Sequence, residues 1–315
     1  MGTRLSATVL MAILLAAAPL SAHGSRVAHY EVVFRPSYDQ QGVLWIAIRQ
    51  YDFGGEPYLL VLNPLSLETA TVPATAMRQS APLSLAALSE TPFMRALERY
   101  TAPPYQMQNY GAVRATHPVG GVVLTVDMDP SKAGLDQLLF TRLAELGAER
   151  GHPIPVALAI TGRWMARHGD ELTWIQEQVT QHRLAITWIN HSYRHPYQPG
   201  VPLERNFLLT AGIHFIDEVT QTEILLLEHD LVPSPFFRFP GLVASEKLVE
   251  TLRTLSLIPV GSDAWLAKGQ KPTDGSFILV HGNGNEPFGV TRFLRLIDER
   301  PGMVFVSLAL ALTER

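Results

Sequence analysis

Cysteine is absent from all 315 residues. This excludes disulfides, thiol nucleophiles and thiolate metal ligands, so any metal must be held by His, Asp or Glu. A chain of this length buries enough core to do without disulfide staples. Charge is also sparse. Charged residues make up 17% and the formal net charge is -4, so there is no strong basic field and nucleic acid is excluded as an expected partner. No GxSxG occurs, which argues against a serine hydrolase built on a nucleophile elbow. Internal repeats and low-complexity tracts are missing as well. Hydrophobic residues, by contrast, reach 47%, which excludes wholesale disorder and supports a sizeable core.

The longest apolar run lies at the N-terminus, "MGTRLSATVLMAILLAAAPLSAHG". Arg4 supplies a positive start, an apolar run extends from about Ala7 to Leu20, and small residues follow. That layout is a secretory signal peptide over residues 1–24, and the run is short of the ~20 residues a bilayer span needs. The expectation is an exported protein, periplasmic or secreted, without a stable membrane span.

Residues 25–118 read as a β-rich accessory region and connector. "HYEVVF", "VLWIAI" and "YLLVLN" are strand-like, and Pro82, Pro92, Pro103 and Pro104 then interrupt any long element. From residue 119 to 315 the rhythm changes. "GVVLTVDM", "IPVALAIT", "LAITWIN", "LIPVGSD", "FILVHG" and "MVFVSLAL" read as strands, the first a run buried on both faces. Helical patterns separate them, as in "LDQLLFTRLAELGAE". Alternating strands and helices predict an α/β fold with a parallel sheet or a (β/α) barrel, in which function collects at the C-terminal strand ends.

Ionisable groups follow the buried strands: Asp127 and Asp129 after "VVLTV", His191 and His195 after "LAITWIN", Arg238 after "PSPFF", Asp263 after "LIPVGS", and His281 closing "FILVH". His191 and His195 stand at i and i+4, and share one face if the loop turns helically. A bare HxxxH is also compatible with two ordinary loop histidines. A carboxylate from another strand end would convert the pair into an open, catalytic type of metal site. His117, His152, His168, His182, His214 and His229 are assigned to surface or packing, and the "NHS" sequon is set aside because its histidine is committed elsewhere. "HGNGNEP" fails the GxGxxG spacing at Pro287 and reads as a structural turn.

Taken in order, these segments resemble the polysaccharide deacetylases, carbohydrate esterase family 4, with its NodB-homology domain. "LTVDMDPS" resembles the first motif, "NHSYRHP" the second, "FRFPG" the third, "SDAW" the fourth and "ILVH" the fifth. The resemblance runs from about Gly120 to the C-terminus. It implies a distorted (β/α) barrel of the polysaccharide-deacetylase type, preceded by the β-rich accessory region. It further implies an N-acetylated glycan as substrate and a divalent metal, zinc first, with Co2+, Ni2+ or Mn2+ as alternatives. By the same resemblance His191, His195 and a first-motif aspartate bind the metal, and Asp127 is the base that deprotonates the attacking water. A backbone N–H near Gly241 stabilises the oxyanion, and His281 protonates the leaving amine. Arg238 orients Asp127, and Asp263 orients His281. Trp265 and Tyr193 are expected to stack on sugar faces or simply to pack.

The chain departs from the family where Met128 replaces the second of two adjacent aspartates. Either the metal carboxylate is lost, or Asp129 replaces it, since i and i+2 of an extended strand face the same way. The second alternative is preferred here. Gly241 and Ala264 alter the third and fourth motifs, which puts substrate class in question before chemistry. Two other functions stay open: a deacylase of O-acetyl sugars or of a non-sugar amide on the same site, and a catalytically silent glycan-binding protein.

Overall fold

The computed structural model describes residues 26–79 and 85–313, so the expected signal peptide lies outside the described residues. Five strands form the N-terminal sheet: β1 (Val27–Tyr38), β2 (Leu44–Phe53), β3 (Glu56–Leu62), β4 (Thr69–Pro73) and β5 (Arg78–Gln79). They run antiparallel in the order β4-β3-β2-β1-β5. Gly54 and Gly55 make the two-residue turn between β2 and β3. Both have positive φ, 61° and 90°, a backbone only glycine adopts cheaply.

Two helices follow, α1 (Leu85–Ser89) and α2 (Pro92–Thr101). Here the structure corrects the expectation that proline interrupts this region. Pro92 stands in the first turn of α2, where its missing N–H is not needed, and Thr91 caps the helix by accepting from Met94 N.

The rest of the chain alternates strand and helix: β6 (Val123–Met128), α3 (Gln137–Arg150), β7 (Ile154–Ile160), α4 (Gly162–Met165), α5 (Gly169–Thr180), β8 (Leu184–Asn190), α6 (Phe215–Glu228), β9 (Phe236–Phe237), α7 (Glu246–Thr254), β10 (Ile258–Pro259), β11 (Ala264–Trp265), β12 (Phe277–His281), α8 (Pro287–Glu299) and α9 (Leu308–Leu312). The strands make one parallel sheet, ordered β10-β9-β8-β7-β6-β12-β11. A flat sheet of that width would separate its edges by roughly 29 Å. Yet β10 and β11 are its two edges, and only residues 260–263 join them, a reach of about 17 Å at most. The sheet must therefore curl. Residues 258–265 act as one kinked strand that pairs first with β9 and then with β12, closing a distorted (β/α) barrel.

Side-chain alternation sorts the barrel wall. Leu124, Val126, Met128, Leu158, Ile160 and Val280 join the apolar faces of α3, α5 and α8. Val123, Ala157, Ala159, Ile189 and Phe277 belong to a second cluster, and Thr125 and Asp127 share the face of Val123. That cluster also contains Ile46, Ile48, Leu60 and Phe93, so the N-terminal sheet shares a core with the barrel. The seam carries a buried ion pair. Arg49 Nε and Nη2 lie 2.7 and 2.9 Å from the Glu223 carboxylate on α6, and Tyr30 donates to the same group at 2.8 Å.

"MVFVSLAL" is not a strand. Phe305 makes a single bridge to Val122, and Ser307 then caps α9 by accepting from Leu310 N. The apolar run gave no means of distinguishing the two, because a short buried helix and a short buried strand carry the same pattern. Among the described residues, no helix is long and apolar enough to cross a membrane.

Candidate active site and metal centre

Four strand ends deliver the site. β6 and β12 pair with Asp127 directly opposite His281, which places a carboxylate and an imidazole side by side at the C-terminal rim. Asp129 lies just beyond β6, on the same side as Asp127. β8 ends at Asn190, and its buried amide pins the next loop, accepting from Ser192 N (3.0 Å) and donating to Val219 O (2.8 Å). Both ends of that amide are in use, so the sequon asparagine is structural.

His191 and His195 reach one point, but not through a helical turn. Ser192 and His195 take positive φ, 66° and 44°, and the loop folds back on itself. Buried Glu218 holds it there, accepting from Arg194 N at 2.7 Å and from Arg194 Nε. Nε2 of His191 lies 3.2 Å, and Nε2 of His195 3.4 Å, from Asp129 Oδ1. Two atoms bound to one tetrahedral zinc at 2.0–2.1 Å would stand about 3.3–3.4 Å apart. The three residues therefore form a cluster with the dimensions of a metal site. The donor chemistry agrees. His191 Nδ1 lies 2.7 Å from the carbonyl of Arg238, where it must donate. Its Nε2 is thereby turned toward the Asp129 carboxylate, on the side where a shared cation would sit.

Asp127, 4% exposed, faces Arg238 Nη1 at 3.2 and 3.4 Å. Arg238 is fully buried and is steadied by Thr125 Oγ1 (2.9 Å) and Gly261 O (3.2 Å) at the barrel seam. Gly241 sits in a short 3₁₀ turn beside the cleft with φ +61. A Cβ there would lie 2.3 Å from the Phe207 ring, so Phe207 fills the space that a side chain at 241 would take.

Asp263 is not near His281. Its carboxylate accepts from Phe277 N at 3.0 Å and Ser276 Oγ at 3.3 Å, at the start of β12. Four residues of strand, about 13 Å, separate that point from His281. It caps a strand, and the carboxylate that stands beside His281 is that of Glu286. The Glu286 carboxylate lies 2.9 Å from His281 Nδ1, out of hydrogen-bond alignment, and accepts from Trp265 Nε1 at 2.7 Å. Tyr193 also misses the cleft: its ring lies against Gly162, where a Cβ would come within 2.1 Å. Tyr197 lines the cleft instead, stacked on Phe207 with ring centroids 5.2 Å apart. Trp265 lines the opposite part, with Lys268 Nζ 3.5 Å from its ring centroid. The cleft encloses about 940 Å³.

The reading of "HGNGNEP" as a plain turn missed three contacts. Asn283 Nδ2 donates to Asp129 O (2.7 Å), Asn285 Nδ2 donates to Asp129 Oδ2 (3.2 Å), and Glu286 engages His281. The available signal was the position of the segment, directly after a strand-end histidine.

The site separates its protonation states. Burial opposes the charge of Asp129, but His195, His191 and His281 outweigh it and hold the carboxyl far below its usual range. Burial pushes His195 down to about 4 against the pull of Asp129. His281 is also disfavoured by burial, yet Glu286, Asp129 and Asp127 lift it to about 9. The metal-free protein should therefore be most stable near pH 6.5. The stabilisation from protonated His281 is fully present below about 6.5 and is lost as pH rises through about 9. His195 is held neutral in the fold and costs stability as pH falls from about 6.5 to about 4. Thermal midpoints in chelator across this range should show both limbs, with H281N flattening the alkaline limb and H195N the acid one.

A family model described as the RP012 protein N-terminal domain matches residues 28–84. Among solved structures the chain is similar to a family 4 carbohydrate esterase from Bacillus anthracis, at 18% identity and TM-score 0.49, covering 74% of this chain and 94% of that one. It is similar to the chitin deacetylase of the fungal pathogen Colletotrichum lindemuthianum, at 16% identity and TM-score 0.46, covering 66% and 93%. A CE4 family pseudoenzyme from Bacillus anthracis is similar at 16% identity and TM-score 0.42, covering 62% and 66%.

Proposed function

We propose that this protein is an exported, metal-dependent deacetylase that hydrolyses N-acetyl groups of a glycan, a polysaccharide deacetylase in which Asp129 takes the place of the adjacent aspartate. Residues 119–315 form the catalytic region and residues 25–118 an accessory region that completes its core. One observation carries the reading: the carboxylate of Asp129 and the two imidazoles, from separate strand ends, stand at coordination-shell spacing. Asp129, His191 and His195 would hold the divalent ion, zinc by preference. When bound, such an ion acidifies water and polarises a carbonyl, both of which an amide requires.

The remaining steps belong to the chain. Asp127 takes the proton of the attacking water, and Arg238 pairs with its carboxylate and aims it. The N–H near Gly241 receives the developing oxyanion. His281 gives its proton to the leaving nitrogen, with the Glu286 carboxylate favouring the charged imidazole. Trp265 and Tyr197 form walls on which a sugar face can lie. Retention of Asp127 and His281 favours an enzyme over a silent binding protein, because binding alone needs neither.

Acetate release from N-acetylglucosamine oligomers, abolished by chelator and restored by zinc, tests the proposal. Release only from acetyl esters would replace it with the O-deacylase reading, and binding without release would replace it with the silent one. E286Q should lower kcat by about tenfold and shift the alkaline limb of the rate profile to lower pH, because His281 loses a carboxylate that favours its protonated form. A cation beside Asp129 weakens that residue's support of His281, which leaves Glu286 the larger contributor. An alkaline limb that does not move in E286Q would remove His281 from the acid role.

A further inference from the structure

Beside the cleft lies a second hollow of about 490 Å³, lined by Pro130, Ser131, Lys132, Arg163, Ala166 and Arg167. Pro130 and Arg163 line the cleft as well, so the two spaces share a wall. Three of its six lining residues are cationic and none is acidic. Arg163 and Arg167 stand at i and i+4 along the turn of α4, continued by Arg167 N donating to Trp164 O, and like charges at that spacing repel.

All three side chains are exposed, and Arg167 Nη1 reaches the carbonyl of Ser131 at 3.5 Å. Among the described residues no carboxylate stands within 4.0 Å of Lys132, Arg163 or Arg167. Glu171, beside Gly134 of the Lys132 loop, lies 3.5 Å from His168 Nδ1. The loops that carry the hollow are also the loops that carry the site. Lys132 lies three residues after Asp129, and Arg163 N donates to Tyr193 O in the histidine loop at 2.9 Å.

We propose that this hollow is a subsite for an anionic group of the glycan, on a unit adjacent to the one that bears the acetamide. Lys132, Arg163 and Arg167 supply charge-assisted donors to that group. This inference rests on the deacetylase reading for its substrate class, and it makes that substrate an acidic glycan rather than a neutral one.

Calorimetry with three tetrasaccharides tests it: chitotetraose as the neutral probe, an alternating N-acetylglucosamine–glucuronate oligomer, and an alternating N-acetylglucosamine–muramate oligomer. At low ionic strength at least one acidic probe should bind about tenfold more tightly than chitotetraose, and added salt should erode that advantage. In K132A/R163A/R167A the ratio of acidic to neutral affinity should fall to about one. The single K132A and R167A changes should each lower it by about twofold. Equal affinities in the unsubstituted protein, or a preference that survives the triple change, would overturn the proposal. Because binding is read on chelator-treated protein, without turnover, a protein that releases no acetate yet keeps the acidic preference would overturn the reaction and leave the subsite standing.

Discussion

Asp129→Ala is expected to yield a folded protein that no longer retains a stoichiometric divalent ion and releases acetate about 10³-fold more slowly or worse. Lewis-acid assistance at a carbonyl contributes several kcal/mol, and each 1.36 kcal/mol is a factor of ten in rate. Asp129 is the one group in contact with all three site histidines, at 3.2, 3.4 and 3.4 Å. Without it, His191 and His195 offer a two-nitrogen site, too few ligands for tight binding. The comparison that isolates the effect is Asp127→Asn. It should keep its metal while losing about 10²- to 10⁴-fold in kcat, the range of a general base. Metal analysis of both variants, with the visible spectrum of cobalt-loaded protein, separates the two roles. Metal content in D129A equal to that of the unsubstituted protein would end the case for a D-x-D ligand set.

Arg49→Ala should be the most destabilising exchange outside the active site, by about 3–5 kcal/mol, as when one partner of a buried pair is removed. Arg49 is 0% and Glu223 1% exposed, and the arginine also donates to Ile48 O and Leu255 O. Truncation would leave Glu223 buried with only the Tyr30 hydroxyl as partner. The double exchange R49M/E223L should recover most of the loss, since well-packed apolar replacements of buried pairs are often neutral. Denaturation midpoints of the single and double variants measure this directly. A single variant as stable as the unsubstituted protein would mean that the N-terminal sheet is not secured through this pair.

Much of the barrel could be read in advance because its signals are local. β6, β7, β8 and β12 are predominantly apolar runs, and α3, α5 and α6 carry their apolar residues at helical spacing. Strand-end chemistry followed from the same pattern, which is why Asp127, Asp129, His191, His195, Arg238 and His281 could be named together. The errors arise where contact between distant segments decides. Asp263 follows an apolar run as the others do, but its strand is two residues long and the chain kinks before it could reach the rim. Tyr193 and Tyr197 differ by one loop reversal, set by positive φ at Ser192 and His195, which composition does not announce. Glu286 lies inside a segment whose local pattern, a failed GxGxxG spacing, reads only as a structural turn. The Arg49–Glu223 pair joins residues 174 positions apart, and no local pattern links them.

That separation also bears on how the chain is made. At about 5–20 residues per second, ribosomal synthesis of the intervening stretch takes on the order of 10–35 s. Throughout that interval the apolar side of the first sheet and a bare guanidinium have no mate. Nascent chains halted before α6 should therefore be sensitive to protease and prone to recruit chaperones, and full-length chains should lose both properties together.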